Sequence, residues 1–140
     1  KWTSSNFPSD ENISYGKATS ASSISVPQMP TFCYAGLAVD GQVDGRKFSS
    51  GDSKSAFWKV DLGDMHEIAS INIHNIASFS LPIRVYLSTD NTDYLPVGDI
   101  SSHNKITSIE LSDKKARFVA VQLMKNGTLE FGEVEVFMKN

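Results

Sequence analysis

From Phe57 onward, apolar and polar residues alternate over short stretches separated by turn-forming residues. "FWKVDLG" places Trp58, Val60 and Leu62 on one side of an extended chain and Lys59 and Asp61 on the other. "EIASINIHNI" sets Ile71 and Ile73 against Asn72 and His74, and "LPIRVYLSTDN" sets Ile83, Val85 and Leu87 against Arg84, Tyr86 and Ser88. Further along, Ile109 and Leu111, then Val119, Val121 and Leu123, then Val134 and Val136 face inward, with Ala120, Gln122, Glu133, Glu135 and Phe137 opposite. No stretch repeats apolar residues at helical spacing, so the pattern predicts an all-β chain. Strands with one apolar face bury it best by facing another sheet, which predicts a two-sheet β-sandwich or jelly roll.

The first third differs. Residues 1–33 are rich in Ser, Thr, Asn and Pro and predict long loops, apart from "GKATSASS", a polar edge strand. "SVPQMPTFCY" carries Val26, Met29, Phe32 and Tyr34 between prolines that prevent regular pairing; such a loop either folds onto the core or projects as a binding tip.

A chain of 140 residues suffices for one domain, so 1–140 is read as a single unit, a module of a larger protein. A formal charge of −3 offers no general attraction to nucleic acid or to anionic lipid, and neither is expected as a partner. Cys33, the single cysteine, cannot form an internal disulfide. There is no apolar run of membrane-spanning length. Asn12 and Asn126 stand in glycosylation-type triplets, which matter only in a eukaryotic secretory route.

Candidate chemistry is sparse. His66, His74 and His103 fall in a turn, on a strand's outer face and in a loop, in no nucleophile or zinc-site spacing, so no enzyme is expected. The stretch "AGLAVDGQVDG" is more informative. Asp-Gly pairs are common turn formers, yet residues 37–52 also supply Asp40, Asp44, Asp52 and three glycines, the oxygen-rich irregular loop a hard cation such as calcium requires. "MKNGTLEF" joins two predicted strands and sets the Phe131 ring beside Asn126, Thr128 and Glu130, groups that suit a sugar: a ring for its C–H face, amides and hydroxyls for its hydroxyls.

Taken in order, "GKATSASS", "AGLAVDGQ", "FWKVDLG", "INIHNI", "VYLSTDN", "ARFVAVQL" and "GEVEVF" resemble discoidin, or coagulation-factor type C, domains over about residues 14–138. The resemblance implies a galactose-binding-domain-like sandwich of jelly-roll topology. Loop spacing is most similar to F-type lectins and family 32 carbohydrate-binding modules. It implies a structural calcium held by Leu37 or Ala38, Asp40, Gln42, Asp52 (or Ser49 and Ser50) and Glu133. The F-type fucose motif is missing: Ser55 and Ile76 stand near its histidine and first arginine, and the adjacent-cysteine pair is absent.

These readings converge on a non-catalytic, calcium-stabilised carbohydrate-binding module, secreted or displayed at the cell surface, that recognises a glycan through loops at one end of the sandwich. His74, Asn75, Phe79, Arg84, Asn126 and Phe131 are its candidate ligand residues. A shallow single site binds weakly, so further copies or other domains of a parent chain are expected. The alternative is a discoidin-type adhesion domain that meets a protein or membrane surface through the apolar 25–34 loop.

Overall fold

The computed structural model describes residues 11–22, 35–42, 47–74 and 81–139. Among the described residues nine strands form in chain order: β1 (Ala18–Ala21), β2 (Phe48–Ser49), β3 (Phe57–His74), β4 (Ile83–Ser88), β5 (Tyr94–Ile100), β6 (Ile106–Glu110), β7 (Lys115–Leu123), β8 (Glu130–Phe131) and β9 (Glu133–Met138). A 3₁₀ turn over Ala35–Val39 precedes β2.

β3 organises the sandwich. Its first half lies in a sheet of order β1-β3-β7-β4-β5, and its second half pairs with β6 and β9 in the facing sheet. The change of sheet occurs where the β3–β7 register shifts between Asp61 and His66. Gly63 sits there at φ +90°, a conformation glycine adopts without steric cost, and Gly63, Asp64 and Met65 are exposed. The alternation expected of "FWKVDLG" and "INIHNI" therefore belongs to one bent strand. His66, expected in a turn, lies within it, because a bulge and not a hairpin reverses the exposed face.

The inward positions are as the alternation predicts. Trp58, Val60, Ile71, Ile73, Ile83, Val85, Val119, Val121, Val134 and Val136 are wholly buried between the sheets. Ala120 and Gln122 face outward, and β1 is the polar edge strand. Two residues depart from expectation. Glu133, placed by alternation on the outer face, is only 1% exposed, because the 3₁₀ turn and its following loop cover that end of β9. Phe131, expected at a loop tip, is 0% exposed; its ring lies 5.2 Å from that of Phe48 and 5.5 Å, edge to face, from that of Trp58.

Candidate ion site and binding end

The turn after Ala35–Val39 exists because its neighbours anchor it. The Trp58 indole N–H donates to the Ala35 carbonyl at 2.9 Å, and Leu37, Ala38 and Val39 are buried. The Gly16 N–H donates to the Val39 carbonyl at 2.8 Å, tying the preceding segment to the same turn. The chain then reverses through Asp40-Gly41. The Gln42 N–H donates to Asp40 Oδ1 at 2.9 Å, and Gly41 adopts φ +83° with the Tyr15 ring against it. The φ of +83° favours glycine at Gly41, where a Cβ would also press on the exposed, movable Tyr15 ring at 2.9 Å.

Glu133 meets this turn from β9. The Gly41 N–H donates to Glu133 Oε2 at 3.0 Å, while Glu133 Oε1 is buried without a hydrogen-bond partner. Burial pushes the Glu133 carboxyl up to about 8, opposed by the Gly41 hydrogen bond and reinforced by the neighbouring Asp40 carboxylate. A buried carboxylate that faces a second carboxylate and leaves one oxygen unpaired is costly unless a cation or proton joins it. The donor set fits a hard cation, since carboxylates and main-chain carbonyls are its preferred ligands. Among the described residues no three His, Cys, Asp or Glu side chains gather as a metal group, so Asp52, exposed beyond β2, is not brought to the Asp40–Glu133 pair. Ser49 and Ser50 are otherwise engaged: Ser49 donates to Glu130 Oε2 at 3.0 Å, and Ser50 donates to the Gly51 carbonyl and accepts from the Leu129 N–H.

The loop end carrying Asn126 is braced by backbone pairing. Ser53 and Gly127 exchange two 3.0 Å hydrogen bonds, locking the 50–56 loop to the 124–128 loop and displaying Asn126 in solvent. The described candidate ligand residues are for the most part engaged with protein partners. His74, at the end of β3, holds Glu135 through a 2.6 Å contact from Nε2 to Oε1. Arg84, on the outer face of the other sheet, forms a two-pronged ion pair with Asp99 at 2.7 and 3.2 Å, which raises the guanidinium and lowers the carboxyl. Phe131 is not available to a sugar, because Phe48 and Trp58 occupy its ring. Asn75, Phe79 and the apolar 25–34 loop lie outside the described residues, as does Asp44.

One feature escaped the sequence reading. Across the outer face of β3, β7, β4 and β5 runs a trough lined by Phe57, Lys59, Tyr86, Tyr94, Ala120 and Gln122. The outward positions were legible one strand at a time, but which of them become neighbours depends on register between strands distant in sequence.

A profile of the F5/F8 type C family, described as a NedA-like, galactose-binding domain, matches residues 37–121, more than half of the chain. The chain belongs to this family. Solved structures agree on the fold of this F5/F8 type C domain. A histidine mutant of the lectin-binding domain of Lectinolysin, complexed with Lewis b, is 27% identical, covers 95% of this chain and 99% of its own, and superposes with a TM-score of 0.84. A fucose-binding module of Streptococcus pneumoniae is 24% identical over the whole of both chains, with a TM-score of 0.78. A chitosan-binding module of Paenibacillus sp. IK-5, in complex with chitotriose, is 21% identical over 89% of this chain and 98% of its own, also at 0.78. Among curated proteins, none matches the sequence of this F5/F8 type C domain. No helix among the described residues is long and apolar enough to cross a membrane.

Proposed function

We propose that this domain is a non-catalytic, calcium-stabilised carbohydrate-binding module that takes a glycan at the end of the sandwich carrying the Asn126 loop, and that it works outside the cell or at its surface. The observation that carries the glycan reading is the similarity, over nearly the full length of both chains, to a lectin domain solved with Lewis b. The ion reading is supported separately by the unpaired Glu133 Oε1 beside Asp40. In this reading the Asp40 and Glu133 carboxylates, with the Leu37 and Gln42 carbonyls, hold calcium. The ion supplies positive charge that cancels the repulsion of the two carboxylates and fixes the 35–42 turn against β9. It does not touch the sugar.

The residues that meet the sugar are exposed polar groups on braced loops, of which Asn126 is the described example. Asn126→Ala is expected to weaken binding at least tenfold for glycans whose capture on a glycan array requires calcium, while leaving the melting temperature unchanged. Undiminished binding would remove the Asn126 loop from the site.

A further inference from the structure

We propose that the outer face of the β1-β3-β7-β4-β5 sheet carries a second binding site, for an extended, unbranched oligosaccharide lying across β3, β7, β4 and β5. The proposal rests on the carbohydrate-binding reading above, but not on the loop end or the ion.

The site follows from register. Ala120 of β7 pairs with Lys59 of β3 on one side and with Tyr86 of β4 on the other, so the smallest side chain in that row lies between two long ones. One register along, Phe57 pairs with Gln122; on β5, Tyr94 pairs with Ser88 at the far end of β4. The result is a trough of about 330 Å³, the size of a small-ligand site, with Ala120 as its floor. Measured perpendicular to the strands it covers three strand intervals, about 14 Å, a width that a di- or trisaccharide spans. Lys59 also lines the adjoining depression over β1, Asp61 and Asn91, so the trough continues beyond its deepest part.

The walls are held before any ligand arrives. Ser88 Oγ accepts the Asn91 N–H at 2.9 Å, and Asp90 Oδ1 accepts the Thr92 and Asp93 N–H groups at 2.9 and 3.0 Å, fixing the β4–β5 turn. Asn91 Oδ1 then accepts from both the Lys59 ammonium, at 2.9 Å, and the Tyr94 hydroxyl. On the other wall the Tyr86 hydroxyl donates to Gln122 Oε1 at 3.1 Å. The Tyr86 and Tyr94 rings stand perpendicular with centroids 6.4 Å apart, so one presents a face where the other presents an edge.

The occupant follows from this mixture. Each ring is bordered by a hydrogen-bonding group with capacity to spare: the Lys59 ammonium has protons beyond the one given to Asn91, the Gln122 amide N–H₂ remains a donor, and both tyrosine hydroxyls remain acceptors. Rings for C–H faces, with donors and acceptors between them, match a chain of sugar rings and hydroxyls. An anionic membrane finds little to hold it: Arg84 and Arg117 are committed to Asp99 and Asp61, and the net charge is −3.

The test is NMR titration of the whole chain with cellotriose and with chitotriose, in calcium and in EGTA. At least one of the two should shift the amides of Lys59, Ala120 and Gln122 in both conditions. Ala120→Gln, which fills the floor while removing no contact, should weaken that binding at least tenfold, as should Tyr86→Ala. Asp40→Ala should leave it intact, so failure of the loop-end reading would not pass for failure of this one. Shifts confined to the 124–128 loop, no shift at Lys59, Ala120 and Gln122 with either sugar, or binding unaffected by Ala120→Gln would overturn the proposal. Self-association abolished by Ala120→Gln would assign the face to a second copy of the chain and likewise overturn it.

Discussion

Phe131 and Glu133 sit two residues apart and carry opposite lessons. Phe131 reads as a sugar platform in an irregular stretch, yet its ring completes an aromatic cluster with Phe48 and Trp58. Phe131→Ala is therefore expected to cost about 3–5 kcal/mol in denaturant unfolding through the cavity it leaves, so any loss of glycan binding would follow from unfolding. Glu133 reads as a candidate ion ligand only through resemblance, because strict alternation puts it in solvent. Its burial arises from a turn nearly a hundred residues earlier, which no local pattern encodes. Its raised titration point gives a signed prediction. With Glu133 at 4.5 in the unfolded chain and about 8 in the folded one, its contribution to stability is fully present below pH 4.5 and lost as pH rises to 8. Without calcium, urea unfolding should show that decline; with saturating calcium it should shrink or vanish, since the cation takes the proton's place. A calcium-free stability that rises across pH 5 to 8 in step with Glu133, and not in Glu133→Gln, would contradict the assignment.

At the scale of elements, the alternating strands were legible because each has one buried face, and period-two alternation is what such a face imposes. The continuity of β3 was not. Gly63-Asp64 resembles a hairpin turn in sequence, and only pairing with β7, β6 and β9 shows the strand passing from one sheet to the other. The bend should depend on Gly63 more than on the ion pair beside it. Arg117 grips Asp61 at 2.8 and 2.9 Å, lowering the Asp61 carboxyl, but both side chains are substantially exposed. Arg117→Ala should have the smaller effect on stability, as exposed ion pairs contribute little. Gly63→Val places a β-branched residue at φ +90° and should cost at least about 1 kcal/mol, although nothing lies within 4 Å of a Cβ there. Equal effects of the two changes in urea unfolding would show that the bend is not set by backbone conformation.

For the whole molecule, the sandwich presents two surfaces to which a glycan reading applies: a loop end braced by the Ser53–Gly127 pairing and the 35–42 turn, and a ringed trough across one sheet. If calcium holds that turn, loading at about a hundred times its dissociation constant should raise the melting temperature by roughly 10 °C. Asp40→Ala should abolish the rise while barely changing melting in EGTA. The central claim, that an ion-braced end binds carbohydrate, is tested most directly by glycan-array binding of the intact chain in calcium and again in EGTA. The account predicts a defined set of glycans whose binding falls at least tenfold from calcium to EGTA, apart from any extended oligosaccharide held by the sheet-face trough, which binds in both. An array on which no glycan is bound in either condition would contradict it.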